Sequence, residues 1–206
     1  VQMALAVAGP LDNHSIVMTN LGWTISASAL ADRFGIEHVV VINDFAAIAW
    51  ATLGLESADL LQIGGGTPQL IANRGVIGPG TGLGVSGLVS TGDDWTALVG
   101  EGGHVTMTAT NDEQSHLLSQ LVAEFGHCSA ERLLSGPGLV RIYTLSGGTE
   151  CSPEQITLLA REGDRVALHA VELFSDMLGT VAGNLALTLG AKGGIYLAGG
   201  ILPAIR

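Results

Sequence analysis

Three features of the sequence predict an α/β fold. Val39-Val40-Val41-Ile42 is a run of β-branched residues ending on the polar pair Asn43-Asp44, the pattern of a buried strand that delivers functional groups at its C-terminal end. From Asp164 onward, Ala167, Val171, Phe174, Leu178, Val181 and Leu185 recur at 4-3-4-3-4 spacing, which is one apolar face of a long buried helix. Around these two anchors, strand-like and helix-like segments alternate, as they do in layered α/β proteins.

In chain order, Ala4 to Ala8 is a short apolar strand stopped by Gly9-Pro10, followed by a polar loop from Leu11 to Ser15 and then Val17-Met18-Thr19-Asn20. Ser26 to Phe34, with Leu30 and Phe34 four apart and Gly35 beyond, predicts a helix. The strand Val39 to Ile42 leads into a helix from Phe45 to Leu53. The character of the chain changes at Ser57 to Leu60, which places a boundary between residues 1–54 and 55–206. Short strands near Gln69 to Ala72 and Val76 to Ile77 are expected to flank a turn at Asn73-Arg74. Helices are expected at Asp112 to Phe125 and around Ser129 to Leu134. Ser152-Pro153-Glu154-Gln155 is a helix start, with a capping serine, proline at the first helical position and Gln155 placed to close a capping box. After the long helix, Gly193-Gly194 leads to a strand from Ile195 to Ala198 and the turn Gly199-Gly200.

Composition removes several function classes. At 206 residues and 47% hydrophobic, the chain can bury a substantial core. The mean hydropathy of +0.45 raises a membrane reading. The longest weakly polar stretch, Met177 to Ala191, is interrupted by Gly179, Gly183, Asn184 and Gly190 and falls short of the roughly 20 residues a crossing helix needs. A net charge of -11, with Lys192 the single lysine and seven scattered arginines, argues against a nucleic-acid partner. Cys128 and Cys151 form no C-x-x-C or metal-ligand pattern, which suits free thiols in the reducing cytoplasm. Glycine, 30 of 206 residues, clusters in short separate loops and forms no repeat.

Those loops hold the candidate chemistry. Gly78-Pro79-Gly80-Thr81-Gly82-Leu83-Gly84 follows a strand and offers unshielded backbone amides, but it is neither a P-loop nor a dinucleotide loop; alone it reads equally as a phosphate cradle or a tight turn. Asn43-Asp44 reads equally as a helix cap. Gly100-Glu101-Gly102-Gly103-His104 sets a carboxylate and an imidazole three apart, free to converge on a small polyhydroxylated ligand, though a lone loop histidine is more often merely solvated. No cysteine or histidine cluster supports His104 as a metal ligand. In Ser129-Ala130-Glu131-Arg132, Glu131 would be favoured near a helix start whatever its function. A serine nucleophile finds no support: Gly84-Val85-Ser86-Gly87-Leu88 lacks the last glycine of a nucleophile elbow.

Taken in order, Asn43-Asp44-Phe45, Gly78 to Gly84, Gly100 to His104, Ser129 to Leu139 (SAERLLSGPGL) and Gly193 to Ile201 (GGIYLAGGI) resemble the bacterial glucokinase family along nearly the whole chain. The resemblance implies the ribonuclease-H-like, actin-type ATPase fold, with two domains and a cleft. Residues 1–54 would be the remainder of a small domain carrying the catalytic aspartate, and residues 55–206 a large domain. It implies ATP-dependent phosphorylation of glucose at the 6-hydroxyl, with Mg2+, in a cytoplasmic homodimer. By the same resemblance, Asp44 is the base, and Asn43, Glu101, His104 and Glu131 hold the other sugar hydroxyls. Gly78, Gly80, Thr81, Gly82 and Gly84 form the second phosphate loop, and Gly199 and Gly200 the adenosine-side turn. The family's first phosphate loop, Asp-x-Gly-Gly-Thr-Asn, does not occur here, so the resemblance implies an internal fragment, incomplete at both ends.

Three alternatives remain at this point. A sugar-binding piece without catalysis would bind and not turn over. The related sugar kinase and repressor family pairs a Gly-Glu-x-Gly-His motif with a cysteine-rich zinc loop, and no such loop follows His104; stoichiometric zinc would favour it. An actin-like structural or chaperone protein would polymerise with ATP.

Overall fold

The structure, a computed structural model, describes residues 1–9, 11–12, 15–18 and 22–205. Strand β1 (Gln2–Val7) pairs in parallel with β5 (His38–Asn43), in a register that sets Val7 opposite Asn43. Between them in sequence lies an antiparallel three-stranded ribbon, β2 (Leu11–Asp12), β3 (Ser15–Met18) and β4 (Trp23–Ser26). The loop expected from Leu11 to Ser15 therefore carries strand at both ends, and β4 is a strand the sequence reading did not anticipate. Thr19, Asn20 and Pro10 lie outside the described residues.

Helix α1 (Ala27–Phe34) starts at Ser26, whose hydroxyl accepts the Ala29 N–H, and stops at Gly35 in the left-handed conformation. Leu30 packs with Val7, Ile16 and Val41 in a small core, while Phe34, expected on the same face, is exposed. Helix α2 (Asp44–Ala51) follows β5 without a linker.

The larger sheet has the order β8-β7-β6-β9, formed by β6 (Arg74–Pro79), β7 (Leu83–Ser90), β8 (Trp95–Leu98) and β9 (Ile195–Leu197), with β9 parallel to β6. Side-chain alternation along β6 divides its two faces. Val76 packs with Leu88 and with Phe45, Ile48 and Ala49 of α2. Ile77 faces the main core, built from α3 (Asp112–Phe125), α4 (Gly136–Leu145), α5 (Pro153–Arg161) and α6 (Arg165–Leu189). Thus α2, contiguous with β5, packs against the second sheet.

Two expectations are corrected. No strand forms at Gln69 to Ala72, and Asn73-Arg74 is not a turn. Asn73 ties β6 to its neighbours by accepting the Ser90 N–H at 3.0 Å and donating to the Leu189 carbonyl at 2.8 Å, and β6 begins at Arg74. Ser129 to Leu134 is not an α-helix but a single 3-10 turn, Ala130–Arg132. The α-helix begins later, at α4, where the Ser135 hydroxyl accepts the Gly138 N–H and Pro137 occupies the first turn. A side chain at Gly138 would collide with the Leu133 carbonyl, so the Ser-Gly-Pro-Gly sequence that looks like a loop is a tightly packed helix start.

Helix α6, the long helix expected from Asp164 onward, spans 25 residues, and although the Met177 to Ala191 stretch alone is too short, the whole helix is long and apolar enough to cross a membrane by length and composition alone. Its apolar face is instead part of the main core: Ala167, Ala170, Phe174 and Met177 are fully buried.

Candidate functional site

The β6–β7 hairpin is where the candidate motifs meet. Gly78 and Pro79 end β6, Leu83 and Gly84 begin β7, and Gly80-Thr81-Gly82 is the connecting turn. The Gly80 N–H donates to the Gly82 carbonyl at 2.8 Å, and the Gly80 carbonyl accepts the Gly136 N–H at 2.8 Å, which fixes the turn against the start of α4. Among the described residues, the N–H groups of Thr81 and Gly82 have no protein acceptor. A turn that exposes two successive amides offers donors to an anion.

Glu131 clamps this turn from the side. Its Oε2 accepts the Leu83 N–H at 2.9 Å, and a side chain at Gly82 would push that carboxylate aside, so glycine leaves room for the approach. Oε1 lies 3.5 Å from His104 Nε2, and His104 Nδ1 lies 3.4 Å from Glu101 Oε2. A 3-10 turn, Gly102–His104, brings the imidazole into place, with the His104 N–H donating to the Glu101 carbonyl at 3.0 Å. Gly103 lies so close to the Leu83 carbonyl that any side chain would collide with it. His104 is thus held between two carboxylates with its side chain 60% exposed, open to an incoming polar ligand.

Asn43 and Asp44 reach the hairpin through Phe45. Asn43 Oδ1 accepts the N–H groups of Phe45 and Ala46 at 2.9 and 3.1 Å, while its Nδ2 donates to the Gly9 carbonyl at 3.3 Å. The helix-cap reading of Asn43 therefore describes what its oxygen does. Asp44 Oδ1 accepts the Phe45 N–H at 3.0 Å. Among the described residues its other carboxylate oxygen has no hydrogen-bond partner. The Phe45 ring fills the space left by the missing side chains of Gly78 and Gly84, so Asp44 is anchored to the residue that wedges against both ends of the turn.

Gly199, with φ of +94°, lies against the Pro79 carbonyl, where a side chain would clash, and Gly200 follows it in open space. The Ala198 N–H donates to the Ile77 carbonyl at 2.9 Å, joining this segment to β6. The structure therefore brings Glu101, His104, Glu131 and the Gly80–Gly82 turn into direct contact, and draws in Asp44 through Phe45 and Gly199 through Pro79. The sequence reading missed Phe45 and Leu83 as the residues that connect these motifs. The Phe45 signal was available, as an aromatic directly after Asn43-Asp44, but its glycine counterparts lie more than thirty positions away.

Comparison with known proteins places the chain in one family. The glucokinase family profile matches residues 1–206. A glucokinase of Saccharophagus degradans is 44% identical over 206 residues, covering 97% of this chain and 64% of that protein. The chain thus spans a little under two thirds of the length of that relative. The crystal structure of a glucokinase from an Antarctic psychrotroph superposes with a TM-score of 0.87 at 39% identity, over 97% of this chain and 64% of that one. A glucokinase of the ROK family from Streptomyces griseus, solved with glucose and AMPPNP, shares the fold at a TM-score of 0.63 and 22% identity, over 97% of this chain and 67% of that one. These neighbours carry the actin-type, ribonuclease-H-like ATPase fold. Matched along its whole length by the family profile and close in structure to a solved member, the chain belongs to the glucokinase family.

Proposed function

We propose that this chain supplies the sugar pocket and the second phosphate loop of an ATP-dependent glucokinase, which transfers the terminal phosphate of ATP to the 6-hydroxyl of glucose. The observation that carries the reading is the clamp made by Glu131, whose two oxygens reach the amide-presenting turn and the His104–Glu101 pair. A sugar acceptor and a phosphate donor must be held side by side, and one carboxylate spans both places.

In this reading Asp44 is the general base. The Phe45 N–H, shared with Asn43, holds one oxygen, and the other, without a hydrogen-bond partner among the described residues, is left for the 6-hydroxyl. Phosphoryl transfer has a loose transition state, so the base takes its proton late and positioning dominates. Glu101 and Glu131 accept from sugar hydroxyls, and His104 between them donates or accepts according to its tautomer. Asn43 holds a neighbouring hydroxyl beside Asp44. The Thr81 and Gly82 amides donate to the phosphoryl oxygens, where charge builds. Gly78 and Gly84 admit Phe45, while Gly199 and Gly200 line the adenosine side. We retain the division into units of 1–54 and 55–206 as part of the proposal, with α2 as the element that joins them, together with a homodimeric state and a cytoplasmic setting.

Among the described residues no three His, Cys, Asp or Glu side chains converge on a metal position. Mg2+ carried by nucleotide phosphates and water would need only one or two protein carboxylates, of which Asp44, with one oxygen unpaired among the described residues, would be a candidate. When bound, the ion neutralises developing phosphate charge. The test is a coupled ATP assay with glucose. Turnover that falls by about 10²- to 10⁴-fold in Asp44→Asn, with glucose binding kept, supports the reading. Saturable binding with no turnover in the unaltered chain would show a sugar-binding unit and sink the catalytic claim.

A further inference from the structure

Beside the turn lies a cavity of about 230 Å³, lined among others by Thr81, Phe125, Glu131, Arg132, Ser135 and Arg141. Its charge is unusual for this protein. Across a chain of net charge -11 with only eight cationic side chains, two guanidiniums converge on this one cavity. Both sit against the same ring, Arg132 at 3.9 Å and Arg141 at 4.8 Å from the Phe125 centroid. Arg141 is neutralised by Glu124 at 2.5 Å. Among the described residues Arg132 has no carboxylate within ion-pair distance. The Glu131 carboxylate also lines the cavity, but one oxygen is committed to the Leu83 N–H and the other faces His104.

Stacking on one ring holds both planar groups in place, and the unneutralised one lines the concave space. The other donors at the cavity have the same sense. Thr81 contributes a hydroxyl and its free N–H, while the first turn of α4 adds only its dipole, because the Gly136 and Gly138 N–H groups are already bonded and Pro137 has none. Guanidinium, hydroxyl and amide together are the chemistry that recognises a phosphate oxygen.

We propose that this cavity is a phosphate subsite, in which Arg132, backed by Arg141, binds a phosphate group of a polyphosphate chain whose far end lies at the Thr81–Gly82 amides. The anion site follows from the cavity itself; naming a nucleotide as the source of the polyphosphate rests on the function proposed above. The subsite gives the donor a cationic anchor that the glycine turn, made only of amides and one hydroxyl, does not provide. The competing role for Arg132 is structural, as a cation near the C-terminal end of α3 that stacks on Phe125.

The experiment is calorimetric titration of the whole chain with pyrophosphate, ADP, adenosine and glucose, repeated for Arg132→Gln, Arg132→Lys and, as a control on α1 outside the cavity lining, Arg33→Gln. The expected result is that Arg132→Gln weakens pyrophosphate and ADP about tenfold or more and leaves adenosine, glucose and the melting temperature unchanged. Arg132→Lys should recover part of the loss, and Arg33→Gln should behave as the unaltered chain. Unchanged pyrophosphate and ADP affinity in Arg132→Gln would overturn the proposal. So would a fall in melting temperature with equal loss for all four ligands, which is the structural role. Displacement of bound pyrophosphate by glucose 6-phosphate but not by ADP would overturn the nucleotide assignment. Absence of glucose binding together with Arg132-dependent pyrophosphate binding would sink the glucokinase reading and leave the subsite standing.

Discussion

Replacing Glu131 by alanine separates its structural role from its role toward a ligand. The Leu83 N–H, on a residue only 5% exposed, would lose its acceptor. A buried donor left unpaired costs about 1–3 kcal/mol. The adjoining cavity lets water replace part of that bond, so about 2 kcal/mol is expected. In a domain of this size that lowers the melting temperature by roughly 4–8 °C. Glu131→Gln keeps a carbonyl oxygen for the Leu83 N–H and loses only the charge, so its melting temperature should fall by less than half as much. Glucose affinity should fall in both variants by about tenfold or more, because both lose the charged acceptor facing His104. The assay is thermal unfolding followed by circular dichroism, paired with glucose titration. An alanine variant that melts with the parent, or a glutamine variant as unstable as the alanine one, would refute the claim that Glu131 holds the turn.

Gly84→Ala drives a methyl group into the Phe45 ring and should cost about 1–3 kcal/mol in urea unfolding, with Phe45→Leu in the same chain recovering part of it. Ser152→Ala removes the cap on the Gln155 N–H and should cost about 1 kcal/mol near neutral pH. The Glu154 carboxyl is held below its usual range by its own backbone N–H and then by the Ser152 hydroxyl. A carboxyl depressed in the folded state stabilises above its unfolded pKa and loses that contribution as pH falls through the folded value, so the Ser152→Ala deficit should shrink in acid. Iodoacetamide should label the half-buried Cys151 before Cys128, since burial pushes the Cys128 thiol up and nearby Arg132 and Arg141 only partly oppose it. Equal labelling rates in the folded chain would contradict this.

The elements legible in the sequence were those whose signal is local and repeated. Helix α6 announced itself by periodicity, α5 by its Ser-Pro start, and β5 by an unbroken β-branched run. The start of α4 was not legible because Ser-Gly-Pro-Gly has the composition of a turn, and only the contact of Gly138 with the Leu133 carbonyl explains why glycine sits inside a helix. Strands β4, β7 and β8 were missed because their pairing partners, not their own residues, define them. At the candidate site each motif alone was ambiguous. The ambiguity came from distance in sequence: Gly82 needs Glu131, and Gly84 needs Phe45, so the reason for either glycine lies about forty to fifty residues away.

The central claim is that Glu101, His104 and Glu131 form one sugar pocket against the Gly80–Gly82 turn, and calorimetric titration of the chain with glucose tests it most directly. The account predicts saturable binding that weakens about tenfold or more in Glu101→Gln and persists in Asp44→Asn. A chain that is folded by circular dichroism and binds no glucose, or binds it equally well without the Glu101 charge, would contradict it.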